Sequence, residues 1–303
     1  MKSVRNLVAA LCVLVAGHAI ADQEPAIRLP DAVIDLEFVG NAGGMNRGEI
    51  RNWIGASADA VRNYYGQFPV RKLRIRVEAT EGRGAQSGTT FSYNGALIRV
   101  GVGRYSDVAD LKRDWVMTHE MVHLAMPEFS DDHVWLEEGL ATYVEPVARA
   151  QIGQLTPAQI WHDMVRDMPK GLPAAGDRGL DNTHTWGRTY WGGALFYLIA
   201  DLRIRERTGN RFGLQDGLRA IVAQGGSVEV AWDVRRTLAI ADKATGANVL
   251  VELYDEMRNA PVAPDLPALW KRLGVKFTPD GAEFDDNAPL AGIRRAITMP
   301  PAG

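Results

Sequence analysis

Two histidines four residues apart, with a glutamate directly after the first, occur at residues 119–123 (HEMVH). They lie near the end of a stretch, 107–126, that follows the capping residue Ser106 and stops at Pro127, so the sequence predicts a helix there. Positions four apart on an α-helix differ by about 40° around its axis. The imidazoles of His119 and His123 therefore project from one face, with the spacing that a single zinc ion requires.

The remaining zinc ligand must come from elsewhere in the chain. The only cysteine is Cys12, in the N-terminal segment, which leaves histidine, aspartate or glutamate as the third ligand. Three protein ligands leave a fourth position for water, whose pKa falls towards about 7 on zinc. Glu120 would point at this water and act as general base, passing the proton on to the leaving amine. The pentapeptide thus predicts a hydrolytic zinc site.

Residues 135–145 (WLEEGLATYVE) lie in a further predicted helix, 134–150. Together with HEMVH, this segment resembles the zinc helices of gluzincin peptidases, especially the aminopeptidase N and glycyl aminopeptidase families. The resemblance implies a zincin-like catalytic domain and makes Glu138, directly before a glycine, the third ligand. Glu137 is its rival, since neighbouring helix positions differ by 100° and only one can face the metal. His133, in a predicted loop, is a further alternative.

A third segment, residues 189–195 (TYWGGAL), resembles the tyrosine-containing helix that follows the zinc ligands in the same peptidases. By motif position, the resemblance implies that the Tyr190 hydroxyl contacts the oxyanion of the reaction, where a pre-placed donor is effective. The other interpretation is an aromatic residue that packs against the core at a helix start. His184 and Arg188 lie just before Tyr190 and can either add charge stabilisation or satisfy loop carbonyls.

Two features depart from the aminopeptidase N pattern. Only residues 124–137 separate the second histidine from Glu138, so the connecting loop must be compact. No glycine-acidic motif for gripping a substrate amino terminus occurs within 80–105, which weakens an aminopeptidase assignment. The strand predicted at 96–102 can pair with an extended peptide if it lies at a sheet edge, or it is an ordinary inner strand. The sequence leaves this choice open.

Periodicity and turn residues predict an α+β fold with a mixed or antiparallel sheet lobe followed by a mainly helical lobe. Asn94-Gly95 is typical of a hairpin turn. Strands are predicted at 32–39, 71–79, 89–93 and 96–102, and helices at 49–66, 107–126, 134–150, 157–168, 187–208, 213–224, 231–241, 246–259 and 265–273. The expected parts are a signal peptide (1–21), an α+β lobe (22–105), a helical zinc-peptidase lobe (106–276) and a tail (277–303).

The first 21 residues have the composition of a signal peptide. Lys2 and Arg5 precede an apolar stretch at 7–17, and residues 19–21 (AIA) fit the small-x-small cleavage rule. This apolar stretch is well short of the roughly twenty residues that span a bilayer. The sequence therefore predicts cleavage after Ala21, no stable membrane insertion of the mature chain, and a periplasmic or secreted location.

Composition narrows the remaining function classes. The chain has 303 residues and is 46% hydrophobic, enough for a substantial core. Its 34 basic and 37 acidic residues give a net charge of -3, without the basic excess typical of nucleic-acid binding. The sequence predicts zinc-dependent hydrolysis of a peptide or protein substrate. The alternative is a catalytically silent gluzincin-like protein that binds peptides or cell-envelope components. No pattern indicates an oligomeric state.

Overall fold

The structure, a computed structural model, describes residues 22–40 and 42–300, so the predicted signal peptide lies outside the described residues. The strands are β1 (Asp22–Arg28), β2 (Val33–Val39), β3 (Lys72–Thr80), β4 (Ala85–Phe91), β5 (Leu97–Gly103), β6 (Val275–Thr278) and β7 (Gly281–Phe284). The helices are α1 (Arg47–Tyr65), α2 (Val108–Arg113), α3 (Val116–His123), α4 (Val134–Gln151), α5 (Pro157–Asp167), α6 (Gly193–Thr208), α7 (Leu214–Ala223), α8 (Val234–Thr245), α9 (Leu250–Met257), α10 (Leu266–Leu273) and α11 (Ala291–Thr298).

Strands β1 to β5 form one mixed sheet in the order β1-β2-β3-β5-β4. The three central strands run parallel, whereas β1 and β4 pair antiparallel at the two edges. Alternate side chains of the central strands are buried, as the period of two requires, among them Ile34, Ile75 and Ile98. The strand predicted at 96–102 is thus the inner strand β5, and the edge strand is β4.

The predicted hairpin is confirmed. Strands β4 and β5 pair antiparallel around a turn in which Asn94 and Gly95 have φ of 56° and 89°. Asparagine and glycine are the residues that adopt this left-handed conformation at least cost. The turn places β4 beside the following helices, at the edge of the sheet.

The single helix predicted over 107–126 is wrong, because this segment forms two helices, α2 and α3. Asp114 separates them in an extended conformation, with ψ of 140°. Its side chain accepts a hydrogen bond from the N–H of Val116 at 2.9 Å, so it binds the backbone at the start of the second helix instead of continuing the first. The break matters because it sets the direction of α3, which carries HEMVH.

Helices α3, α4 and α6 form the centre of the helical part, and α3 also packs against β4. Helices α4 and α6 cross so closely that a Cβ added to Gly139 would lie 2.3 Å from the Cα of Gly193. Two glycines therefore permit the contact that brings Glu138 towards the α3 histidines. Among the described helices, none combines the length and apolar character needed to cross a membrane.

The segment 277–300 is more regular than its sequence pattern indicates. Strands β6 and β7 form an antiparallel hairpin, and α11 follows them. Ile293 and Ile297 of α11 are buried, and the buried Arg294 donates a hydrogen bond to the carbonyl of Leu273 at 2.9 Å. The helix is short and its apolar positions are few, which makes it hard to detect without its packing partners.

Candidate metal centre

The two histidines of HEMVH lie one turn apart on one face of α3. The ring centroids of His119 and His123 are 5.0 Å apart and their planes meet at 82°. The opposite face of the helix is buried in the core through Met117, Met121 and Val122. Since packing holds that face, both imidazoles point towards α4 and the sheet edge.

Glu138 of α4 completes a cluster of three. Its Oε2 atom lies 3.1 Å from Nε2 of His119 and 3.6 Å from Nε2 of His123. One candidate ligand atom of each residue lies within 4.8 Å of the others. Two ligands bound to one tetrahedral zinc ion at about 2.0–2.1 Å are roughly 3.3 Å apart. The donor types and their separations therefore fit zinc.

The structure distinguishes Glu138 from its neighbour. The carboxylate of Glu137 accepts a hydrogen bond from the backbone N–H of Phe129 at 3.1 Å and does not join the three-residue cluster. The 100° between adjacent helix positions accounts for this difference. Of the two glutamates, Glu138 is the one that meets both imidazoles.

Burial and hydrogen bonding set the charges in the cluster. Burial lowers the pKa of His119, which favours the neutral ring that binds metal. Burial opposes ionisation of Glu138, but hydrogen bonds with His119 and His123 hold the pKa of this carboxyl far below its ordinary value. Burial also disfavours a charged His123. The hydrogen bond and the negative charge of Glu138 outweigh this effect and raise the pKa of the His123 ring. Glu138 is therefore a carboxylate, the form in which it binds cations.

Glu120 is 7% exposed and faces the same space as the cluster. Its Oε2 atom accepts a hydrogen bond from the hydroxyl of Thr90 on strand β4 at 2.7 Å. The cavity between β4, α3 and α4 has a volume of about 460 Å³, and its lining includes Glu120, the three cluster residues and Tyr190. A small segment of substrate can therefore reach both the cluster and the acid beside it.

Tyr190 lies in the π-helical turn Gly187–Gly192, directly before α6. Its ring stacks at 6.5 Å from the ring of His119. Partial burial raises the pKa of Tyr190, and the nearby carboxylate of Glu138 raises it further. The hydroxyl is thus a protonated donor beside the cluster. Single π-helical turns of this kind occur frequently at functional sites.

The other polar residues considered from the sequence lie outside the cluster. His133 contacts the hydroxyl of Tyr254 at 3.0 Å, and His184 is exposed. Arg188 is 3% exposed and forms an ion pair with Asp177 at 2.8 Å. None of these three side chains belongs to the metal-type group found among the described residues.

Several further residues surround the cavity beyond those assigned a role from the sequence. Thr90 lies on the edge strand, and Glu128 and Glu137 add negative charge to the cavity lining. Two exposed tryptophans flank the cluster: Trp115 meets the His119 ring edge-on at 5.1 Å, and Trp186 stacks on Tyr190 at 5.8 Å. Glu137 and Trp186 lie in or beside sequence motifs, whereas tertiary contacts bring Thr90 and Glu128 to the cavity.

No family model matches the sequence, and no curated protein matches it. Solved structures do match its fold. An aminopeptidase N family protein from Idiomarina loihiensis superposes with a TM-score of 0.62 at 13% identity, over 84% of this chain and 49% of its own. The M1 zinc metallopeptidase from Deinococcus radiodurans, bound to a Tyr-Ser-Ala substrate, gives 0.50 at 16% identity, over 82% and 53%.

Yeast LTA4 hydrolase gives a TM-score of 0.54 at 13% identity, over 81% of this chain and 40% of its own. The chain thus spans about half the length of the proteins it matches or less. At these identities the likeness concerns the fold, and it confirms the α+β architecture expected from periodicity and turn residues. This chain has the gluzincin metallopeptidase fold, with a mixed-sheet lobe and a helical lobe arranged as in the catalytic domain of M1 peptidases.

Proposed function

We propose that this protein is a zinc-dependent peptidase. In this proposal His119, His123 and Glu138 bind the ion, Glu120 is the general base and Tyr190 stabilises the oxyanion. The observation that carries it is the three-residue group, whose candidate ligand atoms lie within 4.8 Å of one another. The buried acid beside it, in the same cavity, is the residue that hydrolysis needs and a purely structural zinc site does not.

Zinc held by these residues would supply a Lewis acid that polarises the substrate carbonyl and acidifies water. Glu120 takes the proton of the attacking water and returns it to the leaving amine. The Tyr190 hydroxyl donates a hydrogen bond to the carbonyl oxygen as negative charge develops there. Its placement before the reaction limits the reorganisation that water would otherwise need.

The position of strand β4 favours a peptide as the substrate. It is the edge strand beside the cavity, so its outer backbone groups can pair with an extended peptide. A Cβ added to Gly88 of this strand would lie 2.6 Å from Cγ of Glu120, which shows how closely the strand passes the proposed base. One of the similar structures holds a tripeptide substrate, which agrees with this assignment.

Replacing Glu120 by glutamine tests the proposal. The amide keeps the shape of the side chain but cannot accept the proton, so we expect hydrolysis to fall by about 10²- to 10⁴-fold. Zinc content should stay at one ion per chain, measured by atomic emission on the purified protein. Cleavage of a diverse peptide library is measured in parallel.

The matched control is Glu283→Gln, the same change at an exposed position of β7, which should leave cleavage unchanged. Equal turnover by the wild type and Glu120→Gln would contradict the assignment of the base. Bound zinc with no cleavage by the wild type would instead favour the silent, peptide- or envelope-binding alternative.

We also propose a periplasmic or secreted location, on the signal-peptide pattern of residues 1–21. Mass spectrometry of the exported protein should give an amino terminus at Asp22. A protein that starts at Met1 and stays in the cytoplasm would contradict this proposal.

A further inference from the structure

We infer that Thr90 is a positioning residue that holds the carboxylate of Glu120 in the orientation used for catalysis. The inference deepens the proposed function and rests on it for its catalytic part. It starts from the hydroxyl of Thr90, whose oxygen lies 2.7 Å from Oε2 of Glu120 and 2.8 Å from the backbone oxygen of the same residue. A hydroxyl has one hydrogen, so these two acceptors compete for it.

The backbone contact alone has an ordinary explanation. Glu120 belongs to the last four residues of α3, whose carbonyls lack the usual partner four residues later. The N–H of Leu124 bonds to the carbonyl of Met121, which leaves the Glu120 carbonyl for another donor. A helix-capping role for Thr90 would account for the 2.8 Å distance. It would not account for the carboxylate, which reaches back to the same hydroxyl.

The carboxylate has few other restraints. Within residues 22–40 and 42–300, Thr90 is the side chain seen to donate a hydrogen bond to it. Glutamate has several rotatable bonds, and ordering them has an entropic cost that a hydrogen bond offsets. The backbone of β4 closes one side at Gly88, and the hydroxyl on the same strand fixes the end of the side chain. The edge strand therefore restrains the proposed base by both shape and hydrogen bonding.

Loss of this restraint should affect turnover more than binding. A displacement of about 1 Å at a reacting group can reduce the rate by about 100-fold. Thr90→Val keeps the shape of the side chain but removes the donor. We expect kcat to fall about 10- to 100-fold, with KM changed by less than about 2-fold and zinc retained. Thr90→Ser, which keeps the hydroxyl, should recover most of the activity.

The matched control is Thr278→Val in the β6–β7 hairpin, where the lost hydroxyl donates only to the carbonyl of Gly281 at 3.0 Å. It should leave kcat and KM unchanged. An unchanged kcat in Thr90→Val, or a failure of Thr90→Ser to recover activity, would overturn the inference.

A double-mutant cycle separates the carboxylate contact from capping without any measurement of activity. Thr90→Val and Glu120→Ala are made singly and together, and the unfolding free energies of the metal-free chains are compared. Glu120→Ala removes the carboxylate but keeps the backbone carbonyl. If the hydroxyl holds the carboxylate, Thr90→Val should cost less stability in the Glu120→Ala background.

Additive changes in unfolding free energy would overturn the inference, because they would leave only the capping contact. A wild-type chain without peptidase activity would refute the proposed function, yet the cycle would still decide whether Thr90 holds Glu120. The two failures are therefore distinguishable.

Discussion

Tyr190 illustrates how one side chain combines packing with a polar role. Its ring stacks between His119 and the exposed Trp186, at centroid distances of 6.5 Å and 5.8 Å. The nearby carboxylate of Glu138 raises the pKa of its hydroxyl, which therefore keeps its proton. The ring contacts would survive removal of the hydroxyl, so a phenylalanine substitution tests the polar role alone.

We expect Tyr190→Phe to lower kcat by about 10²- to 10³-fold, the usual effect of removing one oxyanion donor. Zinc content and thermal stability should change little, because the ring remains stacked. Steady-state kinetics with a cleaved peptide gives the measurement, and Tyr105→Phe, at an exposed position, is the control. Full activity in Tyr190→Phe would assign the tyrosine to packing only.

At the scale of elements, Asp114 joins two parts of the site. Its carboxylate accepts a hydrogen bond from the N–H of Val116 at the start of α3, and the backbone of Ala85 at the start of β4 lies close enough to affect its pKa. Burial raises the pKa of Asp114 from 3.8 to about 6. Between these two pH values the unfolded chain releases the proton while the folded chain keeps it. The contribution of Asp114 to stability is therefore full below pH about 4 and declines as the pH rises to about 6.

Asp114→Asn keeps an oxygen that can accept the bond from Val116 and removes the titration. We expect the unfolding free energy of the wild type, relative to this variant, to fall as the pH rises from about 4 to about 6 and then to level off. Urea unfolding of the metal-free proteins across this range measures the difference. A difference that is constant with pH would show that burial does not raise the pKa of Asp114.

The crossing of α4 and α6 leaves no room for a side chain at Gly139. An alanine there would place its Cβ 2.3 Å from the backbone of Gly193, so the helices must separate. We expect Gly139→Ala to reduce the unfolding free energy by about 1–3 kcal/mol, as overpacking does, and to weaken zinc binding by displacing Glu138.

Gly55 provides the comparison, since it lies inside α1 and its added Cβ would meet nothing within 4 Å. Gly55→Ala should stabilise the protein by about 0.5–1 kcal/mol through the better helix propensity of alanine. Chemical unfolding and zinc titration of both variants provide the test. Equal effects of the two substitutions would contradict the close crossing.

At the scale of the whole molecule, the cavity concentrates acidic side chains, although the net charge of the whole chain is only -3. Four glutamates line it, Glu120, Glu128, Glu137 and Glu138, and the described lining residues include neither lysine nor arginine. The two positive charges of a single zinc ion would offset only part of the negative charge of these carboxylates. The cavity should therefore attract cationic groups.

We expect peptides with lysine or arginine beside the cleaved bond to react faster than matched peptides with aspartate or glutamate, by about 10-fold at low salt. The preference should shrink as ionic strength rises, because salt screens exposed charges. Values of kcat/KM for the paired peptides at two salt concentrations provide the test. A preference for acidic peptides would mean that this charge does not govern selection.

Local patterns in the sequence determined the features that depend on neighbouring residues. The HEMVH spacing places two imidazoles on one helix face, Asn94-Gly95 makes the turn between β4 and β5, and the alternation of strands and helices indicates the α+β class. These features follow from helix and strand periods and from turn conformations, which are local properties.

Only the tertiary structure decided which distant groups meet. It joined Glu138 rather than Glu137 to the histidines, placed Thr90 against Glu120 and paired Arg188 with Asp177. It also showed the break at Asp114 and the inner position of β5. Such contacts depend on how helices cross and on which strand lies at the sheet edge, and packing between residues far apart in the chain sets both.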